Sequence, residues 1–300
     1  MKINGHSPKK KDVNKMKKIV SLLLALTLMC GAAFALTSCG DDSVYIGVQS
    51  GTTGYYYVKG DADWDFPGIN GYTAKGYDNG GLAVNDMKNG AVKYAMIDEQ
   101  PAKLLAKKIP GVKVIDIALT EEEYAFGVDK AQSQLLSDVN RILGEMKTNG
   151  KLDEIITAYA TGEGIKPFAS ATFDAAKADK QLVVATNASF APFEYMEGNK
   201  YAGIDMEIAK YIADELDMEL VIKNMAFEAV VTSVGANGID IAMAGLTVNE
   251  TRKASVNFSE SYYEAAQMLV VLQGDTAFDA CQTADDVLAV LASELAKVKK

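Results

Sequence analysis

An alternation of strand-like and helix-like segments between Gln181 and Phe258 restricts the fold more than any other part of the chain. Leu182–Thr186 is a short apolar run rich in Val, as a strand buried on both faces requires. Gly203–Leu216 carries Ile204, Ile208, Tyr211, Ile212 and Leu216 at helical spacing, with Asp205, Glu207, Lys210 and Glu215 on the other side. Leu220–Lys223 reads as a second strand and Phe227–Val234 as a second helix, ended by Gly235 and Gly238. Ile239–Ala244 reads as a third strand. This order predicts a parallel α/β layer. Ligands of such sheets sit beyond the carboxyl ends of the strands. Asn187, Phe190, Phe227 and the Gly245–Thr247 turn follow those ends, so they are expected to face one crevice.

Residues 1–38 read as a signal peptide, to be set apart from the folded chain. Lys2, Lys9, Lys10, Lys11, Lys15, Lys17 and Lys18 form a basic start, and Ile19–Leu36 follows as an apolar segment short for a spanning helix. Leu36-Thr37-Ser38-Cys39, followed by Gly-Asp-Asp, has the form of a bacterial lipoprotein cleavage site. Cys39 is therefore expected to be lipidated, anchoring the protein to the cell membrane on its extracytoplasmic side. The competing reading is a plain secretory leader with an incidental cysteine, and Met16 is an alternative start. The leader holds seven Lys and one Asp, so its removal takes the net charge from −10 to −16. Such a chain is not expected to bind nucleic acid or an anionic bilayer by electrostatics.

The same removal takes away His6, the only histidine, and Cys30. Ser-His-Asp and Cys-His catalysis and the common zinc sites are thereby excluded, and neither a metal nor a cofactor is expected. With Cys39 acylated, Cys281 has no partner for an internal disulfide. Only two arginines exist, Arg141 and Arg252. Arg141 falls on the polar side of an amphipathic helix built on Leu135, Val139, Ile142, Leu143 and Met146, so it reads as surface charge.

Val44–Val48 reads as a strand running into the Gly- and Thr-rich turn Gln49–Gly54. Backbone N–H groups of such a turn suit an anion, although the Lys-Ser/Thr of a nucleotide-binding loop is missing. Further strands are expected over Val92–Ile97, with Asp98 at the carboxyl end, and over Val112–Ile117, Tyr124–Val128 and Tyr262–Val271. Glu121-Glu122-Glu123 reads as a solvated face. Thr161–Lys180 has no clear period and reads as a linker. Thr283 with Asp286 is a plausible capping box for a helix over 287–298.

VVATNASFAPFEY, GIDMEIAKYIADEL and AGLTVNETRKASVNFSESYY, in that order, resemble the first lobe of the polar amino-acid solute-binding proteins of ABC importers. The resemblance implies an α/β, two-lobed type II periplasmic-binding-protein fold, with a hinge of two crossover strands. GVQSGTTG resembles the carboxylate-binding turn of the second lobe, and SQLLSDVNRILGEMKTNGKLDEIITAY the two helices with which members end. The parts stand in rotated order, which resembles a circular permutation; fused remnants of two neighbouring genes are the alternative. The implied division is residues 39–123 and 268–300 for the second lobe and 124–267 for the first, with 161–180 bridging the former termini. A bridge of that length reaches about 60 Å at ~3.3 Å per residue.

By the same resemblance, Arg252 binds the carboxylate of a free amino acid, Thr247 supports it, and Thr53 adds an N–H from the other lobe. Asp98 and the Gly245 carbonyl take the ammonium, and Phe190 and Phe227 sandwich the side chain. Gln49 and Asn187 stand where some members carry charged residues, which favours a polar, uncharged ligand. The implied function is capture of a polar amino acid by a monomer that delivers it to ABC permease subunits, without chemistry. Two alternatives share the fold: a dehydratase-like enzyme, for which Asp98 and Glu194 are the candidate acid or base, and a sensor.

Overall fold

A computed structural model describes residues 43–298, so the leader and the expected lipidation site at Cys39 lie outside the described residues. From residue 43 onward the chain packs as one unit. Strands Val44–Gln49 (β1), Tyr72–Tyr77 (β2), Tyr94–Asp98 (β3) and Val112–Ile115 (β4) alternate with helices Thr53–Lys59 (α1), Gly80–Lys88 (α2) and Glu99–Lys108 (α3). The chain then passes through Glu122–Tyr124 (β5) into Gly127–Asp129 (β6), Ser133–Thr148 (α4) and Lys151–Thr161 (α5). Next come Gln181–Thr186 (β7), Ser189–Phe190 (β8), Glu194–Glu197 (β9), Lys200–Ala202 (β10), Ile204–Glu215 (α6) and Glu219–Asn224 (β11). Phe227–Val230 (α7), Ile241–Ala242 (β12), Glu250–Lys253 (α8) and Val256–Phe258 (β13) follow. Tyr263–Ala265 (β14), Gln267–Leu272 (β15) and Ala284–Val298 (α9) complete the described chain.

Two five-stranded sheets result. One runs β2-β1-β3-β15-β4 and the other β11-β7-β12-β6-β13. Both have the same plan: two parallel neighbours flank the first strand, and an antiparallel strand from a crossover segment lies beside the third. Each crossover strand is therefore an interior strand of its sheet. Between the sheets, β5 and β14 pair antiparallel as a two-stranded hinge, Tyr124 opposite Tyr263.

The sheets are covered on both faces, which is why their strands read as continuous apolar runs. In β15, Leu269 and Val271 face a core with Ile46, Phe278, Val287 and Leu291, whereas Met268 and Val270 face Ala83, Val84 and Met87. In β7, Leu182 and Val184 join one core and Val183 and Ala185 the other. Helix α9 lies on the β1–β3 sheet through Val287 and Leu291, and the Tyr72 hydroxyl donates to the Leu291 carbonyl at 2.9 Å. Thr283 and Asp286 cap it reciprocally.

Several elements differ from their sequence expectation. The helix expected over Phe227–Val234 ends at Val230 and tightens into a 3-10 turn over Val231–Ser233. The Thr232 and Ser233 hydroxyls donate to the carbonyls of Ala229 and Val230, competing with the helix in a β-branched run. The strand over Ile239–Ala244 shrinks to Ile241–Ala242, because only these pair with both β7 and β6. The expected strands Tyr124–Val128 and Tyr262–Val271 each split in two, since the chain changes from hinge partner to sheet partner within them. Residues 161–180 lie along the β7–β11 side. Phe168 exchanges backbone hydrogen bonds with Tyr201, Ala171 N–H donates to Leu220, and residues 175–180 form a 3-10 turn. Arg141 is a surface residue bonded to Glu145.

Candidate functional site

The carboxyl ends of β1, β3 and β7 and the turns after β11 and β12 meet between the two sheets, and most of the buried polar residues of the described chain gather there. Asn249 caps helix α8 by accepting from the Arg252 N–H, and this holds Arg252 at the cleft. Its guanidinium donates to the Thr247 carbonyl at 2.8 Å and to the Gly51 carbonyl of the opposite lobe at 3.2 Å. Arg252 is only 8% exposed, yet no carboxylate stands within ion-pair distance of it among the described residues. Burial lowers it to about 10, against the pull of the more distant Glu122 and Asp98.

Asp98 is the last residue of β3, immediately before α3, and is buried; its carboxylate accepts from the Tyr124 hydroxyl at 2.5 Å. Burial first, then the neighbouring Glu122 carboxylate, push Asp98 up to about 7. Thr53 donates to Thr247 at 3.0 Å across the cleft, and Thr247 donates to Glu122 at 2.6 Å. Gln49 donates to Asn187 at 3.2 Å, and Asn187 in turn to the Met225 carbonyl at 2.7 Å. Gly245 donates its N–H to Asp205 and has φ +53°. A Cβ there would meet the Phe190 ring at 2.9 Å, so only glycine fits. Phe190 stacks on Phe193, while Phe227 lies 5.4 Å from the guanidinium of Arg252. All nine residues named from the sequence therefore line one region, with Phe190 on Gly245 and Phe227 on Arg252. Beside them opens a cavity of about 320 Å³, lined by Ser50, Tyr77, Asp78, Asn187, Asn224 and Glu228 among others.

Two expectations are corrected. Glu121-Glu122-Glu123 is not uniformly solvated: strand alternation turns Glu122 inward between exposed neighbours. There it accepts from Thr120, Thr247 and Gln267. Asp205 is not on a polar outer face of its helix; it is buried and accepts from Tyr262 at 2.5 Å and from the Gly245 N–H at 2.8 Å. Burial pushes it up to about 7. Glu194 has no exposed surface, and neither of its oxygens finds a partner among the described residues. Burial, then Asp205 and Asp98, hold it well above the usual carboxylate range. The Gln49 and Gln267 amide oxygens are likewise buried and unbonded. Trp64, on the opposite lobe from Arg252, stands 5.1 Å from its guanidinium, a contact that only the fold reveals.

Residues 182–300 match the model of a family described as bacterial extracellular solute-binding proteins, family 3. An arginine-binding extracellular protein of Bacillus subtilis is 36% identical over 91 residues, which are 30% of this chain and 36% of that protein. A probable histidine-binding protein of Neisseria gonorrhoeae is 31% identical over 33% of this chain and 38% of its own length. A probable amino-acid-binding protein of Bacillus subtilis is 30% identical over 40% and 46% respectively. The chain thus spans less than half the length of each of these relatives. Among solved structures, the arginine-bound form of domain 1 from TmArgBP is 30% identical, covering 41% of this chain and 99% of that one, with a TM-score of 0.29.

Proposed function

We propose that this chain, whose residues 182–300 match the bacterial extracellular solute-binding proteins of family 3, captures one free polar α-amino acid between its two lobes and releases it unchanged. The observation that carries this reading is Arg252. A desolvated guanidinium without an anion is costly, and its planar fork suits a carboxylate. An α-carboxylate beside Arg252 would be neutralised there, with the Thr53–Thr247 hydroxyls close by. An α-ammonium would meet Asp98 and the free oxygens of Gln49 and Gln267. The neutral Gln49–Asn187 pair sits beside the 320 Å³ cavity, where a polar side chain would extend. Binding without turnover fits the same residues, because Asp98 is engaged by Tyr124 and Glu194 has no exposed surface.

The reading extends to the working cycle. The two-stranded β5–β14 hinge lets the lobes part, and the cross-cleft bonds from Gln49, Thr53 and Arg252 hold them together when closed. The protein works as a monomer, anchored through lipid on Cys39, and hands its ligand to ABC permease subunits. Its parts stand in circularly permuted order: the two sheets share one strand plan, yet the β1–β4 sheet takes its interior strand from β15, far along the chain.

Thermal shift of the full chain against the twenty α-amino acids tests the function. A ligand at a hundred times its Kd adds about 2.7 kcal/mol, so the expected rise in Tm is roughly 5–10 °C. No shift with any of them, or a new product in the NMR spectrum of a bound one, would contradict the reading. The anchor is tested by cell fractionation: Cys39→Ser moves the protein out of the membrane fraction, and its retention there would refute lipidation.

The raised Asp98 makes binding pH-dependent. Its folded pKa, about 7, lies above its ordinary 3.8, so the folded chain holds this proton more tightly than the unfolded chain. The stability from this group is present below pH 4 and is lost as pH rises through 7. An ammonium ligand needs the ionised form, so its affinity moves the other way. The expected Kd at pH 6 is about tenfold weaker than at pH 8, since only about a tenth of Asp98 is ionised at pH 6. Calorimetry at the two values checks this; equal affinities would remove Asp98 from the site.

A further inference from the structure

We propose that Trp64 is a positioning residue for Arg252, acting from the opposite lobe and completing the carboxylate site only when the lobes meet. The inference rests on the reading that Arg252 binds a ligand carboxylate. Four contacts orient the guanidinium. In its plane it donates to Thr247 and Gly51; Phe227, from its own lobe, lies 5.4 Å away and Trp64 5.1 Å away. Gly51 and Trp64 both come from the β1–β4 lobe, so parting the lobes removes half of this support at once. A weakly hydrated guanidinium gains from aromatic faces, most of all from Trp.

Trp64 is itself held in place. Its ring stacks on Tyr56 of α1 at 4.4 Å. It rides on a loop closed at both ends: Gly60 and Gly68 approach so closely that a Cβ on either would come within 3.1 Å of backbone, and Asp61 and Phe66 exchange backbone hydrogen bonds. A ring presented this way adds little to first encounter, which occurs with the lobes apart. It acts on the closed state, and so on the dwell time of the ligand.

Trp64 is the only tryptophan of the chain, so tryptophan emission comes from this ring alone. In the full chain, saturation with whichever of L-arginine, L-histidine and L-glutamine binds is expected to change the intensity and wavelength of emission, as closure seats the ring against Arg252. With L-arginine, L-histidine and L-glutamine as probes, exchange of radiolabelled ligand is expected to show Trp64→Ala raising koff about tenfold, with kon within twofold and Tm nearly unchanged. Trp64→Phe is expected to recover most of the dwell time. Emission unchanged by saturating ligand would overturn the proposal. So would an unchanged koff in Trp64→Ala, or equal losses in the Phe and Ala variants together with a lowered Tm. If none of the twenty α-amino acids shifts the Tm of the wild-type chain, the carboxylate reading fails and this inference falls with it, whereas binding with an unchanged koff in Trp64→Ala overturns this inference alone.

Discussion

Replacing Arg252 by alanine is expected to weaken amino-acid binding by about 2–5 kcal/mol, roughly 30- to 4000-fold in Kd. The size of the effect follows from burial. In water a lost ion pair costs little, because solvent takes over both charges. Here the guanidinium is buried, and removing it would leave a ligand carboxylate facing the carbonyls of Thr247 and Gly51 with no positive charge in reach. Arg252→Lys is expected to recover only part of the loss, since an ammonium on a shorter reach cannot bridge both carboxylate oxygens. The ligand-free Arg252→Ala protein should fold, because the change removes a buried, unpaired charge. Calorimetry against the amino acid that gives the largest thermal shift measures the change.

Deleting residues 268–300 is expected to unfold the lobe that begins with β1 and to abolish binding. The segment looks peripheral in sequence, but β15 lies between β3 and β4 and bonds to both. Its loss splits the sheet and opens two strand edges. It also removes Met268, Leu269, Val270, Val271, Phe278, Val287 and Leu291 from the core. At about 1.5–3 kcal/mol for each buried side chain, the lost burial is on the order of 10–20 kcal/mol, as much as the whole stability of a typical domain. Circular dichroism melting should show the loss of one cooperative unit, and calorimetry the loss of binding. A truncated chain that binds normally would show that β15 and α9 are not part of the working fold, and would count against the permuted arrangement.

What the sequence made legible, and what it hid, divides along physical lines. β7, α6 and β11 could be read because each is long enough to display its own period, and their packing follows from that period. Asn187, Phe190, Phe227 and the Gly245–Thr247 turn could be placed at one crevice because they follow strand ends, whereas Arg252, Asp98 and Thr53 could be named only through the family resemblance. Glu122 was hidden because a run of three carboxylates looks solvated; only its place as the first, inward-facing residue of the three-residue strand β5, set by pairing with β14, buries it. Asp205 sits at the first turn of α6, where an acidic residue needs no tertiary explanation, so its bonds to Tyr262 and Gly245 were invisible. The broken crossover strands were hidden for a related reason. Neither stretch carries a turn signal, and the break is a change of partner, which local pattern does not encode. Trp64 reaches Arg252 across 188 positions of chain and two lobes, a contact of the closed fold alone.

Titration calorimetry of the full chain with its strongest-binding α-amino acid, and with the α-carboxamide of the same amino acid, isolates the carboxylate contact from everything else in the cleft. One molecule of the free acid should bind per monomer. The carboxamide, which keeps the ammonium and the side chain but presents no anion to Arg252, should bind at least thirtyfold more weakly, and Arg252→Ala should erase most of that difference. Equal affinity for acid and carboxamide, or a preference that survives Arg252→Ala, would contradict the assignment of Arg252 as the carboxylate anchor.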